Sequence, residues 1–366
     1  MEYVQERVAT LHDFGGAAPD APLARATVVV PLTGRDHASL AAERVLSTLT
    51  DLSPASVIVA LRTDESRLAD VTAWLDSVAP GADVLWCNAP AVESVLDEYG
   101  LDGPAGKGRD VWLALGVAAA RSEFVVVHDA DATTYGPEHV PRLLFPLGEG
   151  YEFVKGYYAR VENGRLYGRL CRLLYEPLVA ALAESSDAPV VDYLGAFRYA
   201  LAGEFAATSD LARRLRAQRG WGLEVGTLGE AFRTAGFDGT AQVDLGVHEH
   251  DHRAVGGPQG LSDMADEVAA ALFRALADSG VDPDFDALRD RYRTVADRLV
   301  DQYATDAVFN GLSFDPADER QQVTAYADSI RPPGAETRLP AWADTDLDPR
   351  AVERASATAL GGREGV

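Results

Sequence analysis

Hydrophobic residues fall into two rhythms along this chain. In the first half, short β-branched runs alternate with stretches whose apolar positions recur at helical steps. The runs ATVVVPL (26–32), VIVAL (57–61), DVLWC (83–87) and FVVVHD (124–129) predict strands, and residues 65–76 and 107–121 predict helices between them. Strand–helix–strand repetition at this spacing predicts an α/β fold with a mainly parallel sheet covered on both faces. Ligands of such sheets bind beyond the carboxyl ends of the strands. Three segments occupy that place: Pro31 to Asp36, Arg62 to Asp64, and Asp129 to Asp131.

The second half is mixed. Residues 152–161 and 240–247 predict strands, and residues 169–184 and 222–236 predict helices. FRYALAGEF (197–205) is apolar with a glycine break. GGPQG (256–260) marks a boundary, after which Phe285, Leu288, Tyr292, Val295 and Leu299 form an apolar helical stripe. That stripe suits packing on its own domain, and it also suggests a homodimer. The expected organisation is a main domain over 1–255, a helical extension over 256–330, and an extended arm with a loose tail over 331–366, where Pro, Ala, Gly and acidic residues accumulate. No internal repeat is present.

Composition narrows the function. A net charge of −24 argues against nucleic acid and anionic membrane surfaces as partners. No apolar run is long enough to span a membrane, and the amino terminus lacks the pattern of a signal peptide, so a cytoplasmic location is expected. Cys87 and Cys171 read as reduced core thiols. Of the 33 basic residues only Lys107 and Lys155 are lysines. Acidic excess with so little lysine resembles proteins of salt-loving cytoplasms, where salt screens self-repulsion. A retained lysine in such a chain suggests work that arginine cannot do, such as presenting a compact charge to a phosphate.

Four motifs carry chemistry. FVVVHDADA (124–132) delivers Asp129 and Asp131 from a strand into a loop; carboxylates of this kind suit Mg²⁺ or Mn²⁺, which bridge the phosphates of a nucleoside diphosphate. The same two residues would otherwise be solvated aspartates of an acidic protein. HEHDH (248–252) alternates His248, His250 and His252; it reads as a separate zinc site, a polar loop, or the source of one histidine for the aspartates' cation. AGKGRDVW (105–112) places Lys107 at a helix start, where an anion is favoured, without the spacing of a Walker loop. Glu224, at another helix start, suits either a dipole-complementing cap or hydrogen bonds to sugar hydroxyls.

Taken together, VVVPL, GKGRDVWLAL, HDADA, FVKGYYARV, LAGEFA, GWGLEVG and QVDLGVHEH, in that order over residues 25–255, resemble the retaining glycosyltransferases that make glucosyl- or mannosyl-3-phosphoglycerate. The resemblance implies the GT-A (nucleotide-diphospho-sugar transferase) fold and Mg²⁺ or Mn²⁺ as cofactor. It implies a nucleotide sugar donor, UDP-glucose or GDP-mannose, and a small phosphorylated acceptor such as 3-phosphoglycerate. Catalytic roles fall on Asp131, Glu224 and Leu201. Donor contacts fall on Pro31, Lys107, Asp129, Asp131, Gly203 and Glu224, acceptor contacts on Gly168, Arg169 and His252, and the cation on Asp131 and His250.

The chain departs from that pattern in two places. Gly34, Arg35 and Asp36 stand where the family carries acidic residues, and Leu61 and Arg62 precede Thr63 and Asp64 where a longer polar string is usual; both segments would face the nucleobase and ribose. At the acceptor element, Gly164-Arg165 and Gly168-Arg169 both fit a Gly-Arg pair, spacing to Pro177 favours the second, and Cys171 then replaces a threonine. Competing functions are transfer to a polyprenyl phosphate or a glycan, nucleotidyl transfer, and non-catalytic binding of a nucleotide sugar.

Overall fold

A computed structural model describes residues 5–249 and 257–361, with side chains from 262 onward in the second span. Ten strands are present among them: β1 (Ala9–Leu11), β2 (Ala26–Thr33), β3 (Ser56–Arg62), β4 (Asp83–Trp86), β5 (Phe124–Val127), β6 (Phe153–Ala159), β7 (Val161–Glu162), β8 (Arg165–Leu166), β9 (Phe205–Thr208) and β10 (Thr240–Val247). Eight form one sheet in the order β1-β10-β6-β9-β5-β2-β3-β4, and β7 and β8 form a separate hairpin. Every pairing in the large sheet is parallel except those of β9, which runs antiparallel to both β5 and β6. All four residues of β5 are buried. That matches a strand covered on both faces, and it explains the unbroken Phe-Val-Val-Val run.

The order locates the ligand cleft. The chain leaves β2 toward β3 and β4, then returns to the other side of β2 as β5. This reversal is a topological switch point, and the loops after β2 and β5 diverge there. Pro31 is accommodated because β5 pairs with β2 only as far as Val29. A proline within a sheet is tolerated where the ladder has ended on its N–H side.

The helices follow local signals. Ser39 caps Leu40–Leu52 by accepting from the Ala42 N–H, Asp284 caps Phe285–Asn310, and Asp315 with Pro316 opens Pro316–Tyr326. The expected helix over 169–184 opens with a π-helical turn, Leu170–Tyr175, before the α-helix Glu176–Ala183. Such turns are rare and cluster at functional sites.

Two expectations change. The stripe on Phe285–Asn310 is satisfied within the chain: Leu288, Tyr292 and Val295 are buried, the helix packs on Glu176–Ala183, and the Tyr292 hydroxyl donates to the Leu173 carbonyl at 2.6 Å. It therefore carries no argument for a homodimer. The loose tail is instead anchored over most of its length. Trp342 stacks on Trp112 with ring centroids 4.2 Å apart, and each indole N–H donates at 2.8 Å to a carbonyl of the other's segment. Pro349–Gly361 is a helix lying on Pro90–Glu98 and Lys107–Arg121, with Ser356 accepting from the Trp86 N–H at 2.7 Å. Among the described residues no helix is long and apolar enough to cross a membrane.

Candidate active site

The cleft is built at the carboxyl ends of β2 and β5. Lys107 opens the helix Lys107–Arg121 after Gly106. That glycine and Gly108 are required by the close approach of the 218–220 backbone, which a Cβ at either position would strike. The approach brings Glu224, at the start of Leu223–Thr234, across the cleft. The Lys107 ammonium lies 2.7 Å from Asp129 Oδ1 and donates to Glu224 Oε1 at 2.9 Å. Burial alone would lower the pKa of Lys107, but the two carboxylates outweigh it and raise the value. One lysine thus joins two segments that lie 22 and 117 residues from it in sequence.

Gly203 packs against the Asp129 carboxylate so closely that a Cβ would collide with it, and Leu201 is half-buried beside it. Asp131 sits one residue beyond buried Ala130. Burial, the Asp129 charge and, more weakly, Asp36 push its carboxyl up to about 7 against the pull of Lys107. Asp36 comes from the Gly34–Asp36 turn after β2, where its side chain accepts from the Thr33 N–H and hydroxyl at 2.8 Å. The departure segments therefore interlock: a Cβ on Gly34 would strike the Thr63 hydroxyl, and Arg62 donates to Asp110 at 2.7 Å.

The aspartates suit a divalent cation. Two carboxylates crowded enough to hold a proton near neutrality are a site that a cation would relieve. The end of β10 is stitched to their loop: the Thr133 N–H donates to the Glu249 carbonyl at 2.8 Å and the Glu249 N–H donates to the Thr134 hydroxyl at 3.2 Å. His250 and His252 lie outside the described residues, so the expected cation ligand and the expected acceptor contact are not placed. His248 is described. It is buried, stacks on Tyr158 with centroids 4.0 Å apart, and is kept neutral by burial, which takes its pKa to about 3. Among the described residues no cluster of three metal-ligating side chains is present.

The acceptor element is arranged differently. Gly168 has φ +76° and faces the Tyr199 hydroxyl. The Arg169 guanidinium is held by the helix Pro316–Tyr326, pairing with Asp318 and with Glu319 at 2.8 Å. Arg172 shares Glu319 at 3.0 Å. Arg165 stays exposed on the hairpin. Cys171 is buried and free, as is Cys87.

Sequence reasoning passed over three features here. Tyr158 and Tyr199, with centroids 4.9 Å apart, connect His248 to Gly168, and Arg160 hydrogen-bonds Tyr199. Glu204, buried, leaves Oε2 without a hydrogen-bond partner among the described residues, and its carboxyl is pushed up to about 8 by burial and then by Asp129. Glu319 lies 150 residues from Arg169. The GYYAR run and the acid of LAGEF were visible signals for the first two, while the third carried no local signal.

No family model matches the chain. It is 32% identical over 368 residues to glucosyl-3-phosphoglycerate synthase of Methanococcoides burtonii, covering 92% of this chain and 90% of the relative. It is 34% identical to glucosyl-3-phosphoglycerate synthase of Persephonella marina over 74% of this chain and 71% of the relative. A crystal structure of glucosyl-3-phosphoglycerate synthase from Mycobacterium tuberculosis, in complex with Mn²⁺, UDP-glucose and phosphoglyceric acid, superimposes with a TM-score of 0.58 at 29% identity, over 76% of this chain and 89% of that one. The chain belongs to the glucosyl-3-phosphoglycerate synthase family.

Proposed function

We propose that this protein transfers a glucosyl group from UDP-glucose to 3-phosphoglycerate with retention of configuration, in a salt-rich cytoplasm. The observation that carries the reading is the convergence of Lys107, Asp129 and Glu224 at the switch point, with Asp131 beside them and Gly203 pressed against Asp129. The relatives' names and the ligands of the Mycobacterium tuberculosis complex supply the substrates.

Asp129 and Asp131, with His250 as third partner, would hold Mg²⁺ or Mn²⁺. That ion supplies Lewis-acid stabilisation of the diphosphate when bound. Lys107 meets the leaving phosphate with a fixed positive charge and exchanges part of its pairing with Asp129 for it. Glu224 accepts from the sugar hydroxyls, and the Leu201–Gly203 backbone fixes the sugar's depth. Arg169 recognises the acceptor phosphate, for which its fork geometry suits. The C1–O bond to the β-phosphate breaks with its electron pair left on the phosphate oxygen. The acceptor hydroxyl oxygen bonds C1 from the same face and passes its proton to that departing oxygen. The protein's contribution is positioning and charge stabilisation.

The test is a donor screen in high salt with Mg²⁺ or Mn²⁺, offering UDP-glucose and GDP-mannose with and without 3-phosphoglycerate. Acceptor-dependent UDP release supports the reading. Turnover indifferent to 3-phosphoglycerate rejects the acceptor, and preference for GDP-mannose rejects the donor.

A further inference from the structure

Lys155 is the second of only two lysines in the chain, and the site described above makes no use of it. It lies in the interior of β6, paired with Gln242 of β10 and Phe205 of β9, and it is 1% exposed. A buried ammonium at the centre of a sheet is costly where an apolar side chain would pack. Its hydrogen-bond partner is the carbonyl of Ala202, in the middle of the Leu201–Glu204 turn. The same turn is held a second time by the Gly156 N–H, the residue after Lys155, which donates to the Glu204 carbonyl at 2.9 Å. It is held a third time by the Ala202 N–H, which donates to the Tyr199 carbonyl at 3.2 Å. Gly203, between the first two anchors, is the residue pressed on Asp129. The strongest opposing charges acting on Lys155 are Glu224 and then Glu204, with Lys107 and Asp129 further along the same network.

We infer that Lys155 is a positioning residue for the sugar half of the donor: it anchors the Ala202 carbonyl and so sets where the Leu201–Glu204 turn meets the hexose. The inference rests on the donor reading given above. It makes Lys155 act on the sugar and leaves the diphosphate to Lys107. A lysine suits this work better than an arginine, because a single carbonyl under a tight turn calls for a compact donor rather than a planar fork.

The experiment is isothermal titration of UDP-glucose and of UDP, both with Mg²⁺ in high salt, into the wild-type protein, Lys155→Met and Lys155→Gln, with melting temperatures measured alongside. Loss of a charge-assisted hydrogen bond at the turn should raise the UDP-glucose Kd of Lys155→Met about 10- to 100-fold. The UDP Kd should change by less than about 3-fold, since the nucleotide and phosphates meet other residues. Lys155→Gln, whose amide ends one bond short, should fall between the two. A variant that folds and weakens both ligands equally, or neither, overturns the inference. If Lys155→Met does not fold, the same ratio in Lys155→Gln decides. A wild-type protein that binds neither UDP-glucose nor UDP, and releases no UDP from UDP-glucose when 3-phosphoglycerate is added, removes the donor reading and the inference with it; a wild type that passes leaves the variants to judge Lys155 alone.

Discussion

The two ends of the cleft handle charge in opposite ways. At the donor end, four carboxyl groups, Asp129, Asp131, Glu204 and Glu224, crowd around Lys107 and Lys155, and two of them are held near or above neutrality. At the acceptor end, one arginine is already matched by two carboxylates from a helix 150 residues away. The first arrangement has surplus negative charge, which a cation and the sugar hydroxyls would absorb. The second is balanced, so a phosphate arriving there as proposed would compete for Arg169. On the proposed function, donor binding would complete its end of the site, whereas acceptor binding would rearrange the other.

The largest expected effect lies at the crowded end. Asp131→Ala should lower kcat/KM by about a thousandfold or more, the scale of losing a principal charge-stabilising group, with no fall in melting temperature. Near-normal turnover would dissolve the contrast between the ends. Arg169→Ala comes next. It should raise the KM for 3-phosphoglycerate by about 10- to 100-fold, as expected for a charge-assisted contact, and leave the donor KM unchanged. Equal effects on both substrates would show that Arg169 holds the fold together through Glu319 instead of reading the acceptor.

The cluster around Lys107 was legible in the sequence because its residues sit on local landmarks. Asp129 and Asp131 follow an unmistakable strand, and Lys107 opens a helix in a chain almost without lysine. The cluster around Arg169 was not, because its controlling contacts are tertiary: nothing near Glu319 marks it as the partner of both Arg169 and Arg172. The carboxyl terminus misled for a related reason. Its average composition is that of a loose tail, yet buried Leu339, Trp342, Leu347 and Val352 suffice to dock it, and an average conceals a few well-spaced anchors. The antiparallel insertion of β9 was equally invisible, since a four-residue buried strand carries no sign of its direction.

A pH experiment sharpens the donor half of the comparison. Glu204 rises from an ordinary 4.5 to about 8 in the folded protein. Between those values the folded state keeps a proton that the unfolded state has lost, so stability is full below the lower value and declines as pH rises toward the upper one. In chelator, the wild-type melting temperature should therefore fall between pH 5 and 8. Glu204→Gln should fall less steeply, retaining the share due to the other raised carboxyls, Asp131, Glu176 and Asp110. Parallel curves for the two proteins would mean that Glu204 feels no crowding.

The smallest expected effect tests the balanced end most directly. Asp318 is half-exposed, while Glu319 is buried and shared with Arg172. Removing Glu319 would strand Arg172, so it cannot separate competition from architecture. Asp318→Asn can, because it withdraws one charge from Arg169 and leaves the Glu319 pairing in place. If Asp318 competes with the acceptor phosphate, its loss should lower the 3-phosphoglycerate KM about 2- to 5-fold, the scale of a partly exposed ion pair. The effect should shrink in high salt, which screens the exposed Asp318 more than the buried Glu319. A KM that rises instead would mean that Asp318 aims the guanidinium, and the acceptor end would then be preorganised like the donor end.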